Sequence, residues 1–261
     1  MRIPVYHIDA FATRPFEGNP AAICPLESWL PDATLQAIAA ENNLSETAFF
    51  VRESGGYALR WFTPTTEVDL CGHATLASAY IIFRFLEPDR DEVAFQTRKA
   101  GVLRVKREGD LLRMDFPSRP AVRSPPPAGL EAALGKAPAE ALSARDCLAV
   151  YKSAAEVAAL NPDFSALAKL DCWAVIVTAP GEGGIDFVSR FFAPRQGIPE
   201  DPVCGSAHCT LVPYWAARLG KTRLNARQIS QRGGVLRCTL DGDRVSIAGN
   251  AVLYLEGKIT I

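Results

Sequence analysis

Arg60-Trp61-Phe62-Thr63-Pro64, followed by Cys71-Gly72-His73-Ala74 and an apolar run, decides how this chain is read. It is echoed by Arg190-Phe191-Phe192-Ala193-Pro194, then Cys204-Gly205-Ser206-Ala207 and a second apolar run. In both, an Arg-aromatic-Phe-x-Pro strand end leads through an acidic loop to Cys-Gly at a helix start. The Arg-to-Cys separation is 11 residues in the first copy and 14 in the second, and the difference falls in the loop, where insertions cost least. The doubling predicts two halves, each presenting one Cys-Gly turn, with the two turns facing each other across a cleft.

Working outward, the same order of elements is read twice. A strand over Val5–Thr13 meets the turn Gly18-Asn19-Pro20, whose residues suit bent backbone, and a strand resumes over Ala21–Pro25. Asp32 is placed as the cap of a helix with Leu35, Ile38 and Ala39 inward, ending at Asn42-Asn43. Leu44–Val51 and Tyr57–Phe62 form a hairpin about Glu53-Ser54-Gly55-Gly56. After Cys71, Leu76, Ala79, Tyr80 and Phe83 recur at helical spacing, and strands follow over Val93–Thr97, Val102–Lys106 and Leu111–Phe116. Five prolines between Pro117 and Pro127 exclude a helix or central strand and mark the boundary. Beyond it come a short helix over Leu130–Leu134, a strand over Asp146–Val150 and a helix capped by Asn161. A buried strand over Trp173–Val177 and its partner over Asp186–Phe192 lead to a helix after Cys204 that Gly220 ends. The final strands are Gln228–Gln231, Val235–Leu240, Arg244–Ala248 and Ala251–Glu256. The expectation is a duplicated α+β chain with domains over 1–116 and 128–250, the last strand, 251–261, able to return to the first.

Composition narrows the function classes. A chain of 261 residues, 48% hydrophobic and 22% charged, carries enough apolar matter for a sizeable core. A net charge of −1 offers nothing to nucleic acid or to an anionic membrane surface. Without an apolar leader or a membrane-length run, a cytoplasmic protein is expected. Seven cysteines, an odd number, then read as reduced thiols rather than a disulfide framework.

A cysteine at a helix start sits beside unpaired amides and the positive end of the helix dipole, which favours thiolate. The neighbouring glycine admits a ligand close to the backbone, and the free amides can hold a carboxylate. Cys71 and Cys204 in matched positions therefore predict acid-base chemistry, one sulfur removing a proton from a carbon and the other returning one. Of the three histidines, His73 and His208 follow these cysteines closely and can orient substrate or shuttle protons; the plainer alternative is packing or capping. His7, on an apolar strand, reads as structural. Glu46, at the entrance of Ala48-Phe49-Phe50-Val51, is a candidate base in poorly hydrated surroundings; a surface carboxylate is the competing reading. Asp201 invites the same pair of readings, and Asp69 is a weaker parallel. Cys-x-His and Cys-x3-His-Cys do not match the usual zinc pairs, so no metal is expected. With no GxGxxG and no Walker loop, no nucleotide cofactor is expected either.

Gly18-Asn19-Pro20-Ala21-Ala22, Leu44-Ser45-Glu46-Thr47-Ala48-Phe49-Phe50, Trp61-Phe62-Thr63-Pro64, Cys71-Gly72-His73-Ala74-Thr75-Leu76 and Glu200-Asp201-Pro202-Val203-Cys204-Gly205-Ser206-Ala207 together resemble the PhzF-like family of phenazine biosynthesis. That family shares its fold with diaminopimelate epimerase and proline racemase. The resemblance implies two similar domains, each a mixed or antiparallel sheet wrapped around a central helix, with a small carboxylate-bearing metabolite bound between them. It also implies a homodimer, with neither metal nor organic cofactor. It assigns proton transfer to Glu46 and substrate contacts to Asn19, Gly72, His73, Asp201, Gly205 and Ser206. The phenazine isomerase lacks the two cysteines, whereas Cys71 and Cys204 stand where the epimerase keeps its acid-base thiols. Both sets of machinery are thus present, and Glu46 or the Cys71/Cys204 pair can carry the proton. A non-catalytic ligand-binding protein, or a thiol redox sensor, is the alternative on the same fold.

Overall fold

The computed structural model describes residues 1–261 and resolves into two units, Met1–Asp115 with Ala248–Ile261, and Phe116–Ile247. In the first, β1 (Arg2–Ala10) and β2 (Asn19–Leu26) pair antiparallel, and the C-terminal strand Ala251–Thr260 lies along the other side of β1. Gly18 closes the β1–β2 connection with φ +69°, and a Cβ there would sit 2.1 Å from the Ala10 carbonyl oxygen. Glycine is thus required on two counts, conformation and close approach.

Helix α1 (Asp32–Asn42) buries Leu35, Ile38 and Ala39 against Ile3, Val5, Ala22, Cys24, Phe49 and Phe62, and Asn43 ends it in the left-handed conformation. Asp32 does not cap it. Pro31 holds that position, and the Asp32 carboxylate is taken by Arg60 Nη1 at 2.9 Å, a tertiary partner that outcompetes the local one. Strand β3 (Glu46–Glu53) runs parallel to β2, with Glu46 opposite Ala21, and turns through Gly55 into antiparallel β4 (Gly56–Phe62). After the two-residue β5 (Glu67–Val68) comes α2 (Gly72–Ile81), which buries His73 through Ala79 together with Ile81 and has no polar face. Such a helix belongs at a centre: α2 touches β1, β2, β3 and the C-terminal strand. Its buried hydroxyls are satisfied within the helix, Thr75 by the Cys71 carbonyl at 2.6 Å and Ser78 by the Ala74 carbonyl at 2.7 Å. A π-helical turn, Ile82–Leu86, ends it. Strands β6 (Glu92–Thr97), β7 (Val102–Glu108) and β8 (Leu111–Pro117) follow, with β6 parallel to β4 and the rest antiparallel.

The second unit repeats this pattern. Between the boundary prolines, β9 (Val122–Arg123) pairs with β10 (Glu140–Ser143), beyond α3 (Leu130–Leu134). Strand β11 (Cys147–Val150) is followed by two short helices, α4 (Ala154–Ala159) and α5 (Phe164–Leu167). The single helix expected from Asn161 is therefore two: Ser153 caps the first by accepting from the Glu156 amide, and Asp163, not Asn161, caps the second. Strand β12 (Val175–Pro180) runs parallel to β11 and antiparallel to β13 (Phe187–Ala193), as β3 does to β2 and β4. Trp173, expected in this buried strand, lies outside it at 49% exposure, its ring beneath the Arg145 guanidinium. After β14 (Ile198–Asp201), α6 (Gly205–Leu219) ends at left-handed Gly220. Trp215 of α6 donates to Thr178 Oγ1 on β12 at 3.0 Å and stacks on Phe187 of β13. Strand β15 (Arg223–Gln228) is parallel to β13 and antiparallel to β16 (Gly234–Asp241), before β17 (Arg244–Gly249). β15 ends where a strand was expected to begin, because 229–233 turns through left-handed Gly233.

Candidate active site

The repeated arginines explain why each Cys-Gly turn is held. Arg60, on β4, forks onto Glu67 of β5 with Nε–Oε1 2.7 Å and Nη2–Oε2 2.8 Å. Arg190, on β13, makes the same fork with Glu200 of β14, at 2.8 and 2.9 Å. Each guanidinium also lies over the phenylalanine two residues on, Phe62 at 5.0 Å and Phe192 at 4.9 Å. The conserved wording of the two stretches is thus a cation clamped between an aromatic ring and the acidic loop, and it pins the four residues preceding each cysteine.

In the first unit the clamp delivers Cys71 to the N-cap of α2, and the β2–β3 register delivers Glu46. One donor atom each from Glu46, Cys71 and His73 lies within 4.8 Å of the others, and all three residues are buried. His73 stands between the other two. Its Nδ1 is 3.5 Å from Cys71 Sγ, and its Nε2 is 3.0 Å from Glu46 Oε2, a close contact that is not lined up as a hydrogen bond. Burial pulls the His73 imidazolium down, and the Cys71 sulfur and the Glu46 carboxyl, each in its ionised form, raise it well above its ordinary value. Burial, with Glu46 adding to it, pushes the Cys71 thiol up to about 11. Gly72 is the first residue of α2, and Asn19 is the buried first residue of β2, two before the partner of Glu46.

In the second unit Cys204 caps α6 without a side-chain cap bond of its own. Its amide donates to Gln228 Oε1 at 2.9 Å, and its sulfur lies 3.2 Å from Ser206 Oγ. Ser206 in turn accepts from Arg145 Nη2 at 3.1 Å, while the same guanidinium forks onto buried Asp146 at 3.0 and 2.8 Å. Burial, then the nearby Asp201, pushes the Cys204 thiol well above its ordinary value. Asp201 Oδ1 accepts from the Val203 amide, and its carbonyl takes Gln228 Nε2 and Ser230 Oγ, so it braces the turn. His208 Nδ1 donates to the Cys204 carbonyl at 2.8 Å, and burial lowers the ring to about 4. It is a neutral packing histidine beside Phe187.

The thiolate expected at each helix start is therefore corrected. Both sulfurs are almost fully buried, and desolvation outweighs the partial charge of the helix end, so both rest as thiols. Arg145 and Asp146, in the β10–β11 turn, and Gln228, at the end of β15, went unnoticed in the sequence because the fold brings them to the Cys204 turn from far along the chain, with no local spacing to betray them. A surface cavity of about 790 Å³ in this unit is lined by Arg123, Lys152 and Arg218, among others, and by none of these residues.

In each unit strands surround a buried helix that starts at a cysteine, and this architecture is an epimerase-like fold. The chain belongs to the phenazine biosynthesis-like protein family, PhzC-PhzF, whose profile matches residues 8–257. An uncharacterized isomerase of Pseudomonas aeruginosa is 53% identical over 259 residues, 99% of each chain. The crystal structure of a PhzF-family phenazine biosynthesis protein from Enterococcus faecalis matches all of both chains with TM-score 0.97 and 49% identity. A hydroxyproline epimerase from Agrobacterium vitis, solved with bound trans-4-hydroxy-L-proline, shares the fold alone, at TM-score 0.59 and 11% identity over 99% of this chain and 92% of its own. No helix is long and apolar enough to cross a membrane.

Proposed function

We propose that the protein is a cofactor-independent isomerase that moves a proton to and from a carbon of a small carboxylate-bearing metabolite, through Glu46, through Cys71 and Cys204, or through both. The observation that carries this reading is the Glu46–His73–Cys71 cluster, three proton-exchanging groups within 4.8 Å of one another at a helix start, with His73 touching both others. With Cys71 holding its proton and His73 charged, Glu46 is the group in the cluster that accepts a proton from carbon. The charged His73 beside it compensates the negative charge that develops on the substrate. The amides at the start of α2 and α6 suit the substrate carboxylate. Cys204, kept neutral, is an acid that can return a proton, and Ser206 and Arg145 orient it.

The reaction balances without an outside reagent. The C–H electron pair stays on the substrate as an enolate-like anion while Glu46 takes the proton. A proton from a thiol, or from Glu46 itself, then completes the isomer. The test is proton NMR in deuterated water with a panel of α-amino, cyclic imino and unsaturated carboxylic acids. Deuterium entering a substrate, and its loss by at least about 10³-fold in Glu46→Gln, is expected. A 1,3-shift that survives Cys71→Ser and Cys204→Ser places the proton on Glu46 alone. Exchange at Cα with loss of optical activity, abolished by either Ser variant but not by Glu46→Gln, overturns the role of Glu46. No exchange with any acid of the panel overturns the isomerase reading.

A further inference from the structure

The Cys-x-His spacing at 71 and 73 is not by itself a zinc pair, but the fold adds a third ligand from β3. We propose that Glu46, Cys71 and His73 form a binding site for a thiophilic divalent cation, Zn²⁺ foremost, that inhibits the enzyme. The three donors are a carboxylate oxygen, an imidazole nitrogen and a thiol sulfur, the set from which zinc sites are built. Tetrahedral bonds of about 2.1 Å to nitrogen and oxygen and about 2.3 Å to sulfur put nitrogen and oxygen about 3.4 Å apart, and nitrogen and sulfur about 3.6 Å apart. Here His73 Nε2 is 3.0 Å from Glu46 Oε2 and 3.9 Å from Cys71 Sγ. The Glu46–Cys71 edge is within 4.8 Å, and the sulfur lies nearer Nδ1, at 3.5 Å, so the imidazole must turn about its Cβ–Cγ bond before one nitrogen can share an ion with both partners.

A second observation points the same way. Glu46 Oε2 is buried, aimed into the cluster, and lacks an aligned hydrogen-bond donor. A metal ion would take the place of the His73 proton as its counter-charge, and three protein ligands leave a fourth position for water or for a substrate carboxylate. Binding displaces the Cys71 thiol proton and the His73 proton to solvent and engages the lone pair by which Glu46 would accept a proton. Binding itself depends on the geometry alone; only its inhibitory consequence rests on the proposed proton transfer.

The test uses the full-length protein, stripped with a chelator and kept reduced, titrated with Co²⁺ and then Zn²⁺. One equivalent of Co²⁺ should give a sulfur-to-cobalt charge-transfer band and tetrahedral visible bands, both erased as Zn²⁺ displaces it. Cys71→Ser should abolish the charge-transfer band. Glu46→Gln and His73→Gln should weaken binding at least about a hundredfold, more than the loss of an outer-sphere partner costs. Cys204→Ser should leave the band in place. On the unaltered protein, Zn²⁺ should protect Cys71 from alkylation, read by peptide mass spectrometry, so the proposal does not depend on any variant folding. Absence of the band, its survival in Cys71→Ser, or alkylation of Cys71 at the same rate with and without Zn²⁺ would each overturn the site. If deuterium exchange fails while the cobalt band appears, the site stands and the isomerase reading falls. Where exchange is found, one equivalent of Zn²⁺ should stop it and chelator restore it; exchange that continues in the zinc-loaded protein overturns the inhibition.

Discussion

Replacing Glu67 by Gln tests whether the arginine clamp holds the first cysteine turn in place. Arg60 is 4% exposed and donates three hydrogen bonds to carboxylates, two to Glu67 and one to Asp32. Glu67→Gln leaves the buried guanidinium with Asp32, whose side chain is 64% exposed and well hydrated. Breaking a fully buried pair from one side costs roughly 3–5 kcal/mol. Glu67 is 28% exposed at its outer edge, where water can replace part of the loss, which brings the expected cost to about 2 kcal/mol. With a urea slope of about 2 kcal/mol per molar, the unfolding midpoint should fall by about 1 M. Tryptophan fluorescence can follow it, since the Trp29 ring lies 5.3 Å from the Arg60 guanidinium. Asp32→Asn should barely move the midpoint. The sign of the pH dependence is fixed as well. The Arg60 bonds hold Glu67 below its ordinary value, so its stabilisation is present above the unfolded carboxylate range and is lost as pH falls through the folded value. The Glu67→Gln deficit should therefore shrink in acid. A midpoint shift below about 0.3 M, or an equal shift in Asp32→Asn, refutes the clamp.

Glu200→Gln in the second unit should lower the urea midpoint in the same way, and less steeply, because Arg190 keeps the Val157 and Leu160 carbonyls as acceptors. Burial raises Cys24 to about 12 and Cys209 to about 11, so the stability these thiols contribute is full below the unfolded value of 9.0 and is lost as pH rises. Thermal melts should fall off above pH 9, and Cys24→Ala should fall off less steeply. Gly18→Ala forces a Cβ onto the Ala10 carbonyl at positive φ and should cost at least about 2 kcal/mol in a urea titration. Gly135→Ala, where a Cβ meets nothing within 4 Å, should cost less, the strain of its positive φ alone.

Local rules made much of the fold legible and failed where a distant partner intervened. The inward face Leu35, Ile38, Ala39 followed from spacing alone, as did the stops at Asn43 and Gly220. Asp32 looked like a cap until Arg60 claimed it, and Trp173 looked like strand core because an aromatic beside Ala-Val-Ile-Val scores as buried. At the candidate site, Glu46, Cys71 and His73 stood out by type and position, but their contact depends on Glu46 pairing with Ala21, a register no local pattern displays. The ionisation of the sulfurs was misread because a helix start is visible in sequence and the depth of burial is not. Arg145 reaches Ser206 across 61 residues, and nothing in the sequence around either one announces the other.

The two copies have drifted apart at one slot. Two residues past the first cysteine stands His73, a ring that stores a proton; two past the second stands Ser206, a hydroxyl that can only hand one along. The two slots share one pattern, yet the first now holds a group that keeps a proton and the second one that only passes it on. In the proposed reaction unlike groups at the two slots leave the equilibrium untouched but exchange the two isomers with solvent by different routes, so isotope wash-in measured from each isomer in turn should run at unequal speeds.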